Sequence, residues 1–286
     1  MPETKLPIKP TAVLGMLKEL RTAVQRDEPL VVSGARELAG VLHRELTRGG
    51  VSSAVREQGP IEGAAALVHV LAGTVTAEDE KLLKEAARAR IPIVAVAIGS
   101  SIRDRLKPVP DSVSHVPYVL EENVVSVGSG TGFPVEEIAR RLAHVLGESA
   151  TPLAARLPVL RRAVCEELIR KLSRQNGLVA VAVFVPGADL PVLTLNQVRL
   201  VLRIADAYGF EIDRERLPEV LGVLGSGLGF RAIARRAIEV VPVVGWAVKG
   251  AVAYAGTRAL GEAAVRYFER RAPVTRVAGG RVRFPR

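Results

Sequence analysis

The chain has 286 residues, of which 48% are hydrophobic, so it can bury one large core or two ordinary ones. Its single cysteine, Cys165, excludes an internal disulfide and is typical of a reducing compartment. The opening stretch MPETKLPIKP carries charges and prolines where a signal peptide needs an apolar run. We therefore expect no export signal and a cytoplasmic protein.

The net charge of +10 is unevenly divided along the chain. Residues 1–150 hold 18 Lys/Arg and 19 Asp/Glu, whereas residues 151–286 hold 22 and 11, so the second half has a net charge of +11. This asymmetry indicates an anionic partner, either lipid headgroups or nucleic acid, unless the arginines only solvate helices. Aromatic residues, which stack on bases, make up only 4% of the chain, so nucleic acid is the less favoured partner.

Residues 1–150 are predicted to form an α/β domain. Five short apolar or β-branched runs predict strands: LVVSG (30–34), SSAVRE (52–57), AALVHVLAG (65–73), IPIVAVAIG (91–99) and NVVSVG (123–128). Helical periodicity predicts an additional amphipathic helix over 11–26 and helices between the strands over 35–48, 77–90 and 134–147. Strands that are apolar on both faces and alternate with helices predict a mostly parallel sheet covered by helices on both sides.

The junction at Gly34 has the form of a phosphate-binding turn, because a β-branched strand leads directly into an amphipathic helix. A working P-loop needs G-x-x-x-x-G-K-[ST], in which the lysine reaches the terminal phosphates and the hydroxyl holds magnesium. Counting from Gly34, those last three positions are Ala39, Gly40 and Val41. Gly34 and Arg36 are therefore candidates for a residual anion site, and we expect no metal, no cofactor and no hydrolysis.

The order of elements over about 29–147 resembles a small bacterial GTPase of the Era type. The segment 64–96 is similar to the strand, helix and strand that lead to the guanine-reading motif, and VVSVGSGTGFPVEEIARRL to the last strand, loop and helix. Residues 97–100 replace Asn-Lys-x-Asp, and REQGPIEG replaces the switch region without an Asp-x-x-Gly. The resemblance implies a degenerate GTPase-like domain that is not an enzyme. A GTP- or ATP-binding switch with an atypical phosphate loop is the alternative.

From about Arg156 the periodicity predicts a helical domain. TLNQ (194–197) fits a capping box that opens a helix running to Gly209, and the glycine-rich segment 222–229 predicts close helix approach or a hinge. The stretch 240–268 predicts a further helix with alanines every fourth residue: Ala247, Ala251, Ala255, Ala259 and Ala263. Small side chains at this spacing let two backbones approach closely, so the ladder predicts helix packing within the chain or in a homo-oligomer.

A clean transmembrane span over 240–257 is not expected, because Lys249 would cost ~2.5–3.5 kcal/mol at a bilayer centre. A buried helix, or a hairpin that dips into a membrane surface, is favoured. Basic residues flank the stretch, and anionic lipid attracts each by ~1 kcal/mol. The predicted docking residues for a membrane or a partner are Arg231, Arg235, Arg236, Trp246, Lys249, Arg266, Arg270 and Arg271. The tail from about 272 is expected to be basic and flexible.

The second half also resembles the YcjF-like helical domain, a family of unknown function that accompanies bacterial GTPases. The resemblance covers about 155–270 and is carried by VPGADLPVLTLNQVRLVLRIADAYG, LGSGLGFRAIARR and VPVVGWAVKGAVAYAGTRALGEAAVRYF. It implies frequent membrane association and no established reaction. The two resemblances together predict a GTPase-like α/β domain over 1–150 and a basic helical domain over 151–286. The expected function is a scaffold that docks on an anionic membrane surface, peripheral to its inner face, or on partner helices.

The remaining polar residues give no catalytic pattern. Four histidines lack metal spacing and are predicted to be structural: His43, His69, His115 and His144. Cys165 is predicted to be a small core residue and Asp189 a carboxylate that stabilises a turn. Glu121 and Glu122 are predicted to be a solvated pair.

Overall fold

The computed structural model describes residues 15, 28–99, 116–128, 130–182, 190–211, 245–272 and 282–283. The helix expected over 11–26 (apart from Gly15), the glycine-rich segment 222–229 and the tail beyond 272 (apart from 282–283) lie outside these residues. The chain divides into two compact units, and the division falls between Val164 and Cys165.

The first unit is an α/β layer built on five strands. They are β1 (Leu30–Gly34), β2 (Val55–Glu57), β3 (Ala66–Ala72), β4 (Ile93–Ile98) and β5 (Val124–Val127). Its helices are α1 (Arg36–Thr47), α2 (Ala77–Arg88), α3 (Val135–Leu146) and α4 (Thr151–Arg156). Single 3₁₀ turns lie at Ser52–Ala54, Glu121–Asn123 and Gly147–Ala150. The first of these makes β2 shorter than the strand predicted over 52–57.

All five strands are parallel and lie in the order β2-β1-β3-β4-β5, which is one of the common doubly wound topologies. Consecutive side chains of β3, which point to opposite faces, are nearly all buried: Ala66, Leu67, Val68, His69 and Val70 are each at most 1% exposed. A strand buried on both faces requires helices on both sides of the sheet. The predicted fold class, α/β followed by a helical region, is confirmed.

Helix α2 closes one face of this sheet over a compact core cluster. Its Leu83 and Ala86 pack with Val31, Leu67 and Ala95. The helix begins at a capping box, in which the Thr76 hydroxyl accepts from the Asp79 N–H over 3.2 Å and the Asp79 carboxylate accepts from the Thr76 N–H over 2.9 Å. This box fixes the side chain of Asp79 at the first turn of α2.

Within the described residues, the second unit consists mainly of three helices. They are α5 (Pro158–Ala182), whose first turns belong to the first unit, α6 (Leu190–Ala207) and α7 (Gly245–Glu269). Two short strands, β6 (Phe210–Glu211) and β7 (Val282–Arg283), pair in parallel. At the end of the bundle the ring centroids of Phe210 and Phe268 lie 5.5 Å apart, and Phe268 is fully buried.

Glycines set the distance between α5 and α7. A Cβ added to Gly250 would lie 2.4 Å from the Cγ2 of Val181, and one added to Gly261 would lie 2.5 Å from the Cγ1 of Ile169. Neither separation is possible between non-bonded carbon atoms, so a side chain at either position would displace Val181 or Ile169 or push the two helices apart. Close backbone approach through small residues is thus a real feature of this unit.

The capping box predicted at Thr194 is wrong. Helix α6 begins at Leu190, so Thr194 already lies in its second turn. Pro191 lies in the first turn of α6, where proline is well tolerated because its missing N–H has no intrahelical partner. The predicted end of this helix is confirmed, because α6 stops at Ala207 and Gly209 follows with φ of +73°.

Candidate functional site

The carboxyl edge of the sheet between β1 and β3 is where the topology favours a ligand site. From β1 the chain goes to β2 on one side and then to β3 on the other, so the switch point lies between β1 and β3. Open α/β sheets bind ligands at the carboxyl ends of their strands at such a point. Gly34, predicted as part of a residual anion site, ends β1 in register with Val70 of β3.

The connection from β1 to α1 is a single residue, Ala35. Gly34 turns the chain with φ of +96°, and the Ala35 N–H donates to the Val70 carbonyl over 3.0 Å. The side-chain amide of Gln58 donates to the Gly34 carbonyl over 3.3 Å. A P-loop surrounds its phosphates with several residues of outward-facing backbone. Here hydrogen bonds within the protein engage both the carbonyl of Gly34 and the amide of Ala35.

The same arrangement recurs at the ends of the next two strands. The Gly73 N–H, directly after β3, donates to the Ile98 carbonyl over 3.3 Å. The Gly99 N–H, directly after β4, donates to the Val127 carbonyl over 3.1 Å. Each amide extends the ladder to the neighbouring strand instead of pointing out of the edge. Three backbone donors at the carboxyl edge are therefore engaged within the sheet.

The start of α1 offers an anion the free N–H groups of one helical turn and a single arginine. No side chain caps this helix, so the N–H groups of its first turn remain as donors, and Arg36 is exposed beside them. Glu37 follows Arg36 in the same turn and adds a negative charge. Gly40 occupies the place of the P-loop lysine, and a Cβ added there would lie 3.1 Å from a carboxylate oxygen of Glu57. The carboxylate of Glu57, at the end of β2, thus approaches the second turn of α1 and adds a negative charge near this end of the sheet.

A buried chain of hydrogen bonds, which the sequence did not predict, joins β1, β3 and α2 at this end of the sheet. Ser33 lies opposite His69 in the β1–β3 register, with its hydroxyl oxygen 2.8 Å from Nδ1. The Nε2 atom of His69 lies 2.8 Å from the Oδ1 of Asp79. Because an ionised carboxylate only accepts, the imidazole hydrogen lies on Nε2, and Nδ1 accepts from the Ser33 hydroxyl.

The surroundings shift both titratable groups of this chain downward. Burial lowers the pKa of His69 below its ordinary value of 6.5, although the hydrogen bond and the charge of Asp79 act in the opposite direction. For Asp79 partial burial raises the pKa, but hydrogen bonds from Thr76 and His69 outweigh it and hold the pKa below 3.8. Near neutral pH the network therefore contains a neutral imidazole and a charged carboxylate.

The connectivity is that of a Ser-His-Asp relay, but the geometry suits support of the fold. Ser33 is 3% exposed and His69 1%, so a substrate carbonyl has no approach to the hydroxyl in this conformation. The network instead ties α2 to two strands. His69 was predicted to be structural, and its burial and partners agree with that interpretation. The signal in the sequence is a polar residue within each of two otherwise apolar strands, although only the strand register shows that the two meet.

The predicted docking residues are partly within the described residues. Arg231, Arg235 and Arg236 lie outside them, and for Trp246 and Ala247 only the helical backbone of α7 is described. Lys249 is half-buried. The last turn of α7 and the residues after it expose three arginines: Arg266, Arg270 and Arg271. Positive side chains are also favourable at the end of any helix, because they complement its dipole.

Four alanines of the ladder in α7, at 251, 255, 259 and 263, have described side chains, and none of the four is buried. Ala251 and Ala255 are exposed, and Ala259 and Ala263 are half-buried. The buried face of α7 is offset from the ladder by one or two positions and carries Gly250, Thr257, Gly261, Ala264 and Phe268. Within the described residues the close contacts with α5 are made at Gly250 and Gly261, and the role of the alanine ladder stays a prediction.

A buried polar layer lies between the three helices. Asn176 of α5, fully buried, donates to the Leu193 carbonyl over 3.2 Å and to the Thr257 hydroxyl over 2.8 Å. It accepts from the Asn196 side chain over 2.8 Å. The Thr257 hydroxyl in turn donates to the Ala253 carbonyl over 2.8 Å. One side chain of α5 thus fixes the register of both α6 and α7.

The other candidate residues give no further site. Cys165 is buried, as predicted, and Glu121 and Glu122 are exposed, whereas His115 and Asp189 lie outside the described residues. Across the described ranges, no three His, Cys, Asp or Glu side chains come together as metal ligands would. Among the helices that the structure describes, none combines the length and the apolar character needed to cross a bilayer.

Comparison of the sequence with protein-family models and with curated protein sequences finds no match. The proposal for its function is therefore argued from the geometry and the charge of the chain.

Proposed function

We propose that this protein is a non-catalytic scaffold whose basic helical unit docks on an anionic membrane surface. The observation that supports the non-catalytic role most is the closed turn after β1, where hydrogen bonds within the protein engage both the Ala35 amide and the Gly34 carbonyl. In this proposal the first unit is a degenerate GTPase-like domain. It retains β1 between two parallel neighbours and the strand–helix–strand order of β3, α2 and β4.

The electrostatics of the turn argue against phosphoryl transfer. Such a reaction needs a cation or a metal to offset the charge that develops on the phosphates. The positions of the P-loop lysine and hydroxyl are Gly40 and Val41, and the carboxylate of Glu57 approaches Gly40. Neither of these two positions supplies the positive charge that a triphosphate requires, and Glu57 adds a negative charge nearby.

The exposed face of α7 supports docking on a lipid surface. Its first half is apolar, with Val248, Ala251 and Ala255 exposed. In the middle Arg258 and Glu262 form an ion pair at 2.9 Å, and Arg266 and Arg270 continue the face beyond it. Helices that lie in a membrane interface combine apolar and basic surfaces in this way. The net charge of +11 in residues 151–286 adds long-range attraction to anionic lipid.

We expect the double variant R266E/R270E to bind anionic vesicles much more weakly than the unchanged protein. Near the surface each arginine contributes ~1 kcal/mol, so loss of two lowers the partition coefficient by roughly thirtyfold, and the introduced carboxylates lower it further. The measurement is co-sedimentation with vesicles of phosphatidylcholine and phosphatidylserine, at low salt and at about 0.5 M salt, where surface attraction is screened.

The matched control is R88E/R140E, which makes the same change in net charge at two exposed arginines of the α/β unit. It should retain most of the vesicle binding if α7 is the docking surface. An equal loss in both variants would mean that only net charge matters. Absence of binding at low salt would remove the membrane from the proposal and leave the exposed Ala251 and Ala255 as a surface for a partner helix or a second copy.

One observation favours a second candidate, a nucleotide-dependent switch. The first turn of α1 has no side-chain cap, so its N–H groups could bind a phosphate together with Arg36. This candidate requires that the turn at Gly34 open, because the Ala35 amide is otherwise engaged with Val70.

A further inference from the structure

The hydrogen-bonded chain through His69 continues to the start of α2. Oδ1 of Asp79 lies 2.8 Å from the imidazole, while its Oδ2 accepts from the Thr76 N–H over 2.9 Å and from the Thr76 hydroxyl over 2.7 Å. A single carboxylate therefore both caps α2 and holds the buried imidazole. Any change in the protonation of His69 acts directly on the group that fixes the first turn of the helix.

The elements around the imidazole contribute few charged groups. β1 contributes Ser33, β4 places Ala95 beside His69 in register, and α2 contributes Asp79. Within the described part of the chain, Asp79 is the charged group whose field acts on the ring. Glu78 and Glu80 flank Asp79 in the sequence and are exposed. The state of the network therefore depends on the imidazole and on this one carboxylate.

A second proton on the ring would disturb the network at Ser33. In the neutral ring Nδ1 accepts from the Ser33 hydroxyl, but a protonated Nδ1 is a donor. The Ser33 hydroxyl would then have to accept, and its hydrogen would need a new acceptor at a position that is 3% exposed. The positive charge would also be buried, since His69 is 1% exposed. The attraction of Asp79 offsets only part of this cost.

We infer that Ser33, His69 and Asp79 form a proton-sensitive clamp that holds the first turn of α2 against β3 and loosens on acidification. The direction of the pH effect follows from comparing proton binding by His69 in the closed and the opened state. The opened state exposes His69, which then binds a proton near its ordinary pKa of 6.5, whereas burial lowers the pKa in the closed state. Opening therefore takes up a proton, and it becomes more favourable as the pH falls below about 6.5.

The separation of the two titrations makes the effect measurable. Asp79 has a lowered pKa in the folded protein, so its contribution is present above 3.8 and is lost only at still lower pH. Between about pH 7 and pH 5 the clamp responds to His69 alone. Because one proton is taken up, the opening constant should rise by up to about tenfold for each pH unit within this window.

Hydrogen exchange measured by mass spectrometry, corrected for the intrinsic pH dependence of exchange, tests the clamp on the full chain. Peptides that cover the first turn of α2 should show the rise in opening, and peptides from α3 should not. The variant H69Q should abolish the rise, because an amide can donate to Asp79 and accept from Ser33 without titrating. The control H144Q changes an exposed histidine of α3 and should leave the rise unchanged.

Nitrogen NMR of the His69 ring in the unchanged protein gives a test that does not depend on how the variants fold. A neutral ring protonated on Nε2, titrating clearly below 6.5, supports the clamp. A ring protonated on Nδ1 at neutral pH, or one that titrates at 6.5 or above, overturns it. So does an equal rise of exchange in H69Q and in the unchanged protein.

Discussion

Replacing Gly34 with alanine should destabilise the protein by about 3–4 kcal/mol, because a positive φ costs ~1–2 kcal/mol for a residue with a Cβ and a steric collision adds to it. Gly34 has φ of +96°, and a Cβ there would lie 2.0 Å from the backbone carbonyl oxygen of Val70. That oxygen belongs to the central strand β3 and also accepts from the Ala35 amide, so it cannot move without breaking the sheet. Urea unfolding followed by circular dichroism measures the loss.

Gly73 provides the matched control for this substitution. It follows β3 with φ of +88°, and a Cβ there would meet no atom within 4 Å. The variant G73A should therefore show the conformational cost alone, about 1–2 kcal/mol. The difference between G34A and G73A isolates the close packing of the β1–α1 turn on β3. Equal destabilisation of the two variants would show that this turn is not closed against Val70.

The second large effect is expected at the polar layer of the helical unit. Replacing Asn176 with leucine should cost about 3 kcal/mol, because the Leu193 carbonyl, the buried Thr257 hydroxyl and the half-buried Asn196 amide each lose a hydrogen bond, and a buried group left unsatisfied costs ~1–3 kcal/mol. The change removes the acceptor of the Asn196 amide and the donor to the Thr257 hydroxyl. Fluorescence of Trp246, the single tryptophan and a residue of α7, can follow unfolding in urea. The control Q175L alters the exposed neighbour on the same helix and should change stability by less than about 0.5 kcal/mol.

A double variant shows whether Asn176 and Asn196 act as a pair. N176L/N196L removes the donor as well as its acceptor, so it should be at least ~1 kcal/mol more stable than the sum of the two single effects predicts. Strict additivity would mean that the 2.8 Å contact between the two amides contributes nothing to the register of the helices.

The architecture of the first unit could be predicted because its signals are local. Runs such as IPIVAVAIG combine β-branched residues with a glycine at the end, and β4 lies within the predicted range. Element boundaries depend on finer chemistry. Thr194 has the residue pattern of a cap, but Pro191 suits the first turn of a helix that has already begun at Leu190.

The network at Ser33, His69 and Asp79 could not be predicted because it depends on register. Ser33 and His69 are 36 residues apart and meet only because β1 pairs with β3 in one particular alignment. The sequence pattern of α7 had a similar limit. It shows alanines at 251 and 255 as clearly as glycines at 250 and 261, but only packing against α5 determines which of the two faces is buried.

Titration calorimetry of the purified protein with GTP and ATP in the presence of magnesium tests the central claim most directly. The closed turn at Gly34, the engaged Ala35 amide and the carboxylate of Glu57 beside Gly40 predict no saturable heat at micromolar nucleotide. Binding with a micromolar Kd that R36A abolishes would contradict this account, because the edge between β1 and β3 would then be a working nucleotide site.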